Sequence, residues 1–397
     1  MVNLEDLTEA YYRARANKRR SVDSVSFEID YESNLVNLMY DINNRTYTAS
    51  GNYAFVVLYP KPREIFATEM RNRVVHHYID MRMRPIYDKV LSERSFNNRI
   101  GFGLHKAIAT YRHDIMELSR NYTKDAWLVH IDLKGYFPNA DVEIALRQQK
   151  ELVYRYYEGH DKEDILFMLE TCMRADPARH CDVFVPREHW DAIPDSKSLF
   201  KKPIGTGAAI GFLCWQNAMG LYINDVILWL QSFDFMRVMV FVDDIYIVTE
   251  DNKRTLGIIP EMRRRFKELK VSINEKKFYC QHYSKGIMCL GAMLKFDREY
   301  MNNKSFERAM NKVRELDKKN ADRVVCSLNS HVGGLKNRNQ NRRLSLLKVS
   351  ALKRFKNIVW NVSKICFNVK GKRKIIPWLK KLTSNGTRRN DYVGSRK

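Results

Sequence analysis

The chain has 397 residues, 45% of them apolar, and a formal net charge of +23. This length allows more than one packed core, and the charge favours a polyanionic partner, because Lys and Arg gain affinity by displacing counterions from phosphates. Seven cysteines without a CxxC spacing argue against a disulfide framework or a zinc ribbon. The absence of an apolar run of about 18 residues argues against a membrane span. With no signal-peptide pattern at the N-terminus, we expect a cytoplasmic protein.

The first third of the chain is predicted to be mainly helical. Apolar spacing predicts four helices, over residues 4–18, 31–42, 71–87 and 108–120. Two short apolar runs, 53–59 and 64–67, are predicted to be strands on either side of a proline-containing turn. That turn carries Lys61 and Arg63, so two cations are expected at its tip.

The middle of the chain alternates strands and helices. Residues 126–133 form an apolar strand with an aspartate near its end, and a helix is predicted from about residue 142. The stretch 174–203 is rich in Pro, Asp, Lys and Ser, which predicts a loop with little regular structure. One long apolar helix is expected over 213–231, and residues 238–248 predict a strand, a tight turn and a second strand.

The last third changes character and becomes strongly basic. A helix over 255–270, a strand-like segment over 271–279 and a hairpin over 286–294 are followed from residue 305 by helices, with an interruption near Gly333 and Gly334. Residues 301–397 hold 26 Lys and Arg against five Asp and Glu. Almost all of the excess positive charge is therefore C-terminal.

Three aspartates are placed at predicted strand ends. Asp243 and Asp244 fall where the 238–248 hairpin reverses, and Asp132 ends the earlier apolar strand. An Asp pair in a turn often reflects only the preference of Asp for turn conformations. Carboxylates crowded between apolar strands, however, require a compensating cation. Hard oxygen ligands suit Mg²⁺, and two such ions can promote phosphoryl displacement. On these grounds alone a polymerase, a nucleotide cyclase and a nuclease all remain open.

Several segments resemble reverse transcriptases. FVDDIYIV is similar to the (F/Y)xDD hairpin of that family, and HIDLKGYFPN to the turn that supplies its first aspartate. YPKPREIFATEMRNRVVHHYIDMRMRPIYD and FNNRIGFGLHKAI resemble the fingers segments of bacterial enzymes, especially those of diversity-generating retroelements. The resemblance runs from about residue 4 to about residue 345. It implies an α+β right-hand polymerase with fingers, a palm built on an antiparallel sheet, and a helical thumb.

The resemblance also implies roles for individual residues. Two Mg²⁺ ions would be held by Asp132, Asp243 and Asp244, with Leu133 added to the ligand set. INEKKFYC looks like the motif whose lysine protonates the leaving pyrophosphate, which is Lys276 or, as we prefer, Lys277.

Binding of the incoming nucleotide is assigned in the same way. Lys61 and Arg63 would hold the triphosphate, a role that suits cations on a turn. Phe137 matches the position where the family places an aromatic ring against the sugar 2′ position. CLGAML resembles the primer grip, with Leu290 and Gly291 beneath the primer end.

The segment GAAIGFLCWQ resembles the family block GLPIGNLTSQ. This match places Ile210, Gly211 and Gln216 at the nucleotide, while Ala209 and Trp215 depart from the pattern. Accurate enzymes of the family often carry Gln where Ile210 falls, and an aliphatic side chain cannot donate hydrogen bonds to the nascent pair. Low fidelity is therefore expected by analogy.

The predicted organisation has three parts. Residues 1–125 would be the N-terminal helices and fingers, 126–300 the palm with finger insertions and the loop 174–203, and 301–397 a basic helical thumb and C-terminal tail. The implied partners are an RNA template, the RNA–DNA duplex, dNTPs and a small basic accessory variability determinant protein. The gene would belong to a bacterium, a phage or a mobile element. The alternatives are a phage-defence reverse transcriptase and a non-catalytic nucleic-acid-binding protein with a polymerase fold.

Overall fold

The structure is a computed structural model that describes residues 1–16, 18, 21–58, 61–184 and 187–370. The helices are α1 (Leu4–Arg15), α2 (Val22–Glu28), α3 (Tyr31–Asn43), α4 (Met70–Val90), α5 (Leu104–Leu118), α6 (Val142–Tyr156), α7 (Lys162–Arg174), α8 (Arg187–Asp191), α9 (Leu213–Tyr222), α10 (Asn224–Gln231), α11 (Asn252–Glu268), α12 (Asn303–Arg314), α13 (Ala321–Lys336) and α14 (Asn341–Arg354). The strands are β1 (Asn52–Val57), β2 (Arg63–Thr68), β3 (Trp127–Asp132), β4 (Cys181–Val183), β5 (Met236–Phe241), β6 (Asp244–Thr249), β7 (Tyr279–His282), β8 (Ile287–Cys289), β9 (Ala292–Leu294), β10 (Glu299–Met301), β11 (Ile358–Asn361) and β12 (Cys366–Val369). Among the described residues, no helix has both the length and the apolar character needed to span a lipid bilayer.

The chain divides into two compact units, Met1–Lys285 and Gly286–Lys397. Each unit has a hydrophobic core of its own within the described residues. The division of the first unit into fingers over 1–125 and a palm from 126 stays a prediction. Of the predicted thumb and tail, residues 371–397 lie outside the described part of the chain.

The N-terminal helices α1 and α2 of the first unit pack against α4. Helix α1 begins at Asn3, whose side chain accepts a hydrogen bond from the Asp6 backbone N–H at 2.8 Å. Its apolar face buries Leu7 and Tyr11, and it packs along α4. Arg82 of α4 forms an ion pair with Asp6, which ties the first turn of α1 to α4.

Two sheets follow in the first unit. Strands β1 and β2 form an antiparallel hairpin, and β4 adds to β1 in parallel, which gives the order β2-β1-β4. The central sheet has the order β5-β6-β3-β7, and all of its neighbouring strands are antiparallel. The sequence of β3, WLVHID, is buried from its second residue to its last. A buried strand of this kind gives a rigid base for the residues at its end.

The second unit combines helices with short strands. Strands β8, β9 and β10 form an antiparallel sheet, and α12, α13 and α14 pack on one another around Leu328, Leu335 and Leu347. The described part of the unit ends in the hairpin β11–β12.

Several boundaries differ from the sequence-based expectations. The helix expected over 213–231 is two helices that meet at Ile223, because the buried Asn224 side chain is held by Ser92 and Val90. The stretch 174–203 contains β4 and short helices, so it is more ordered than expected. The segment 271–279 is mostly a turn, and β7 begins only at Tyr279.

Two expectations for the C-terminal region were also wrong. Helix α13 continues through Gly333 and Gly334, since Val332 and Leu335 are buried in the core and offset the low helix propensity of glycine, about 1 kcal/mol per residue. The region is not purely helical either, because β11 and β12 form a hairpin whose Phe367 is buried.

Candidate active site

The three aspartates lie at one end of the central sheet. Asp132 is the last residue of β3, and Asp244, the first residue of β6, is directly opposite it in the antiparallel pairing. Asp243 occupies the turn between β5 and β6, and its carbonyl accepts a hydrogen bond from the Leu133 N–H at 3.0 Å. Residues that are 111 and 112 positions apart in the sequence are thus brought together by one pair of strands.

The turn that carries Asp243 is held by a neighbouring segment. Val242 has a φ of 60°, which is rare for a β-branched residue, and its N–H donates to Oδ1 of Asn97 at 3.2 Å. The backbone of Phe96 also donates to the carbonyl of Val240 at 3.0 Å. Phe96 and Asn97 lie outside the central sheet, and Asn97 is buried. The turn is therefore held in part by a segment that does not belong to the sheet.

Asp132 is bonded through both of its carboxylate oxygens. Lys277 forms an ion pair with Oδ1, and the side-chain amide of Asn274 donates to Oδ2 at 2.8 Å. The Asn274 N–H also donates to the Asp132 carbonyl at 2.8 Å. The turn at Glu275–Lys277 places both side chains on this buried carboxylate, so of the two candidate lysines the structure brings Lys277 to the aspartates.

Asp244 is bonded to a histidine that precedes Asp132 by two residues. Nε2 of His130 lies 2.8 Å from Oδ1 of Asp244. Since alternate residues of a strand share one face, His130 and Asp132 both reach the side on which Asp244 lies.

The carboxyl of Asp243 has a raised pKa. Burial raises its pKa, the negative charges of Asp244 and Asp132 raise it further, and the resulting pKa is about 6. Lys277 acts in the opposite direction. The carboxylates therefore repel one another at this end of the sheet, as expected for a site that would hold cations.

Carboxylates are hard oxygen donors and fit divalent cations of the Mg²⁺ class. Among the described residues, the one set of three His, Asp, Glu or Cys side chains with ligand atoms all within 4.8 Å of one another is His113, Asp114 and Glu117 on α5. There the buried Asp114 is already paired with Arg94. The three aspartates of the sheet do not form such a set, and two of their carboxylates are bonded to Lys277 and His130. Leu133 is buried and aliphatic, so only its carbonyl oxygen could serve as a ligand.

Three of the predicted nucleotide-binding residues lie on or beside the segment that leads into α9. The Ala208 N–H donates to the Phe137 carbonyl at 2.8 Å, and the Phe66 N–H of β2 donates to the Ile210 carbonyl at 2.8 Å. Ile210 and Phe137 are half-buried, and Gly211 is exposed with a φ of 119°. The segment that carries Ile210 and Gly211 is therefore hydrogen bonded on one side to Phe137, which follows β3, and on the other side to Phe66 of β2.

The remaining predicted residues are less closely connected to the aspartates. Gln216 is half-buried in α9, and its carbonyl accepts from the Asn98 side chain at 2.9 Å. Lys61 and Arg63 are exposed, and within the described ranges neither forms an ion pair with a carboxylate.

Leu290 and Gly291 form the two-residue turn between β8 and β9, with φ values of 48° and 82°. Positive φ at both central positions is the hairpin geometry that matches strand twist. These two residues belong to the second compact unit.

Three contacting residues were missed by sequence reasoning. Asn274 lies three positions before Lys277, in the block already singled out, and His130 shares a strand face with Asp132, so spacing could have indicated both. No local pattern points to Asn97, because its contact with Val242 spans 145 positions.

A chain with carboxylates at the end of an antiparallel sheet and a basic C-terminal region has the features of a nucleotidyl-transfer enzyme. The family model for reverse transcriptase (RNA-dependent DNA polymerase) matches residues 60–294, more than half of the chain, and the protein belongs to that family. The family is that of RNA-dependent DNA polymerases, and the α+β right-hand fold that was predicted is confirmed. Reverse transcriptases as a family use divalent metal ions and an RNA template, so the family membership supports the predictions of a metal and an RNA partner.

Solved structures with some likeness to this chain include telomerases. Apo telomerase from Candida tropicalis matches with 11% identity over 77% of this chain and 58% of that chain, at a TM-score of 0.44. Telomerase from Candida albicans in complex with a TWJ fragment of telomeric RNA matches with 12% identity over 84% of this chain and 59% of that one, at a TM-score of 0.45. The chain thus spans less than two thirds of these telomerase chains. No curated protein matches it.

Proposed function

We propose that this protein is the reverse transcriptase of a diversity-generating retroelement in a bacterial cell, and that it copies a template-repeat RNA into error-prone complementary DNA. The observation that carries this proposal is Ile210. This aliphatic residue lies in the segment that hydrogen bonds to both the Phe137 turn and β2. A side chain without hydrogen-bonding groups at the nascent base pair gives weak discrimination between correct and incorrect nucleotides.

The chemistry is proposed to reside in the aspartates at the end of the central sheet. Asp132, Asp243 and Asp244, with the carbonyl of Leu133, would hold two Mg²⁺ ions. When bound, these ions would supply Lewis-acid activation of the primer 3′-hydroxyl and stabilisation of charge on the reacting phosphate. Lys277, already in contact with Asp132, would donate a proton to the leaving pyrophosphate.

Nucleotide binding is assigned to the residues around the connecting segment. Lys61 and Arg63 are exposed cations at the β1–β2 hairpin and would contact the triphosphate. Phe137 would exclude a 2′-hydroxyl, and Gly211 and Gln216 would line the base pair. Leu290 and Gly291 are proposed to support the primer end.

The proposed partners follow from charge and from the retroelement assignment. The 26 Lys and Arg in residues 301–397 suit an RNA–DNA duplex, which proteins bind through its backbone and shape. A small basic accessory variability determinant protein is expected as a further partner. A template repeat and a variable repeat beside the gene would support this role, and their absence would favour phage defence.

Primer extension on an RNA template with Mg²⁺ tests the metal assignment. Asp243→Asn keeps the size of the side chain and removes its charge, so DNA synthesis should fall by at least about a thousandfold. RNA binding, measured by fluorescence anisotropy, should change less than about twofold. Asp234→Asn, an exposed aspartate before β5, is the matched control and should synthesise DNA normally. Undiminished synthesis by Asp243→Asn would refute the assignment.

Sequencing of the complementary DNA tests the proposed low fidelity. Ile210→Gln introduces a hydrogen-bonding group worth about 1 kcal/mol at the nascent pair, so the misincorporation frequency should fall about fivefold. Ile210→Val, which stays apolar, should keep the wild-type error frequency. Equal error frequencies in the Gln and Val variants would contradict the role of Ile210, and an accurate wild-type enzyme would contradict the retroelement proposal itself.

A further inference from the structure

His130 is a buried histidine that none of the assigned roles uses. It lies in the middle of the β3 sequence LVHID, and its ring contacts Oδ1 of Asp244 through Nε2 at 2.8 Å. The two residues are 114 positions apart, and Asp244 belongs to the proposed metal-binding set. A hydrogen bond to a metal-binding carboxylate from a second residue typically fixes the orientation of that carboxylate.

The imidazole is held in place by aromatic rings on the neighbouring strands. The ring of Tyr246 in β6 lies 4.7 Å from it, centre to centre, and the ring of Tyr279 in β7 lies 5.2 Å from it. These two tyrosines are the direct cross-strand partners of His130 in the sheet. Ring contacts on both sides restrict the imidazole, so its bond to Asp244 has a fixed direction.

The second ring nitrogen indicates which nitrogen carries the hydrogen. Nδ1 of His130 is buried and has no hydrogen-bond partner among the described residues. A buried N–H without a partner is costly, whereas an acceptor nitrogen without a partner is tolerated better. The hydrogen therefore belongs on Nε2, where it is donated to Oδ1 of Asp244, and Oδ2 is the oxygen that His130 leaves for a cation.

We propose that His130 is a positioning residue that orients the Asp244 carboxylate for binding of a divalent cation. This inference rests on the proposed function, since it requires Asp244 to be a metal ligand. Strand β3 would then contribute two residues to the metal site, with Asp132 as a ligand and His130 as the residue that orients Asp244. This role also explains a polar ring in a strand that is otherwise apolar between Trp127 and Asp132.

The test compares two replacements that separate ring shape from hydrogen bonding. His130→Phe keeps a ring between the tyrosines but removes the donor. His130→Gln loses the ring but can place an amide N–H near the position of Nε2. His282→Phe is the control, since it removes another His–Asp contact on the same sheet, with Asp125 at 3.1 Å, at the opposite end of β3.

The main measurement is Mn²⁺ binding, followed by electron paramagnetic resonance on the full chain with an RNA template and a dideoxy-terminated DNA primer. His130→Phe should weaken Mn²⁺ binding about tenfold, the lower end of the effect known for residues that orient metal ligands. His130→Gln should recover most of the affinity, and His282→Phe should match wild type. In primer extension, kcat of His130→Phe should fall while the KM for dNTP stays within about twofold.

Three results would overturn the proposal. Wild-type Mn²⁺ affinity in His130→Phe would show that the hydrogen bond does not position the ligand. Equal losses in the Phe and Gln variants, or a loss accompanied by a collapsed melting temperature in both, would show that His130 only packs the sheet. Unchanged Mn²⁺ binding in Asp243→Asn would show that the aspartates do not form the metal site. This result would contradict the proposed function, whereas the first two results would contradict only the role of His130.

Discussion

At the scale of single residues, the ionised carboxylate of Asp243 is unfavourable for the stability of the folded protein. The residue is half-buried, and burial together with the negative charges of Asp244 and Asp132 raises the pKa of its carboxyl to about 6. Such a raised pKa means that the ionised form destabilises the folded state. Clustered carboxylates of this kind are typical of sites where function and stability conflict.

We therefore expect Asp243→Asn to stabilise the metal-free protein, although the same substitution is predicted to impair DNA synthesis. The gain at neutral pH is at most about 3 kcal/mol and smaller once solvent screening is counted. Thermal melting with a chelator at pH 7.5 should give a melting temperature a few degrees above wild type. Asp234→Asn should melt like wild type.

The stabilisation by Asp243→Asn should depend on pH, and it should be larger at neutral than at acidic pH. An aspartate in the unfolded chain has an ordinary pKa of 3.8, and the pKa of Asp243 in the folded protein is about 6, so between these values the folded protein binds more protons than the unfolded chain. Wild-type stability from this group therefore falls as pH rises towards 6. The difference between Asp243→Asn and wild type should shrink as pH falls from 6 towards 4. If the difference in stability between Asp243→Asn and wild type did not change with pH, the raised pKa of Asp243 would not be its cause.

At the scale of elements, the segment before α9 is fixed by a close approach to β2. A Cβ added at Gly211 would lie 2.0 Å from the Phe66 carbonyl oxygen, so a side chain cannot be accommodated unless the backbone shifts. The neighbouring Ile210 carbonyl accepts the Phe66 N–H in the same contact. The position of Ile210 thus depends on the glycine that follows it.

Gly211→Ala should displace this segment from β2 and raise the KM for dNTP about tenfold, with a loss of a few degrees in melting temperature. Gly205→Ala is a matched control, because Gly205 also has a positive φ, 79°, but an added Cβ there meets no atom within 4 Å. Steady-state primer extension compares the two variants. Equal effects on KM would show that the backbone angle matters and the contact with Phe66 does not.

At the scale of the whole molecule, charge and core are distributed unevenly. The first compact unit contains the sheet with the three aspartates, and the second carries most of the excess positive charge. Each unit has its own hydrophobic core among the described residues. In the proposed function, long-range electrostatic attraction would contribute to binding of the polyanion, while the chemistry would depend on short-range contacts at the end of the central sheet.

Local patterns predicted much of the first unit. Alternation and β-branched runs placed β3, β5 and β6 within one or two residues of their observed bounds, and apolar spacing did the same for α3. The errors occur where tertiary contacts override local preference. Asn224 splits a continuous apolar run because its side chain bonds to the end of α4, and α13 passes through two glycines because its other residues are buried.

The sequence by itself determined the family, the order of its motifs and the positions of three aspartates at strand ends, because these features are written in short segments. Only the tertiary structure decided what each carboxylate contacts. Lys277 and Asn274 reach Asp132 from 145 and 142 positions away, and His130 reaches Asp244 across 114. Periodicity reports which face of an element is buried, but strand pairing decides which side chains from distant segments meet on that face.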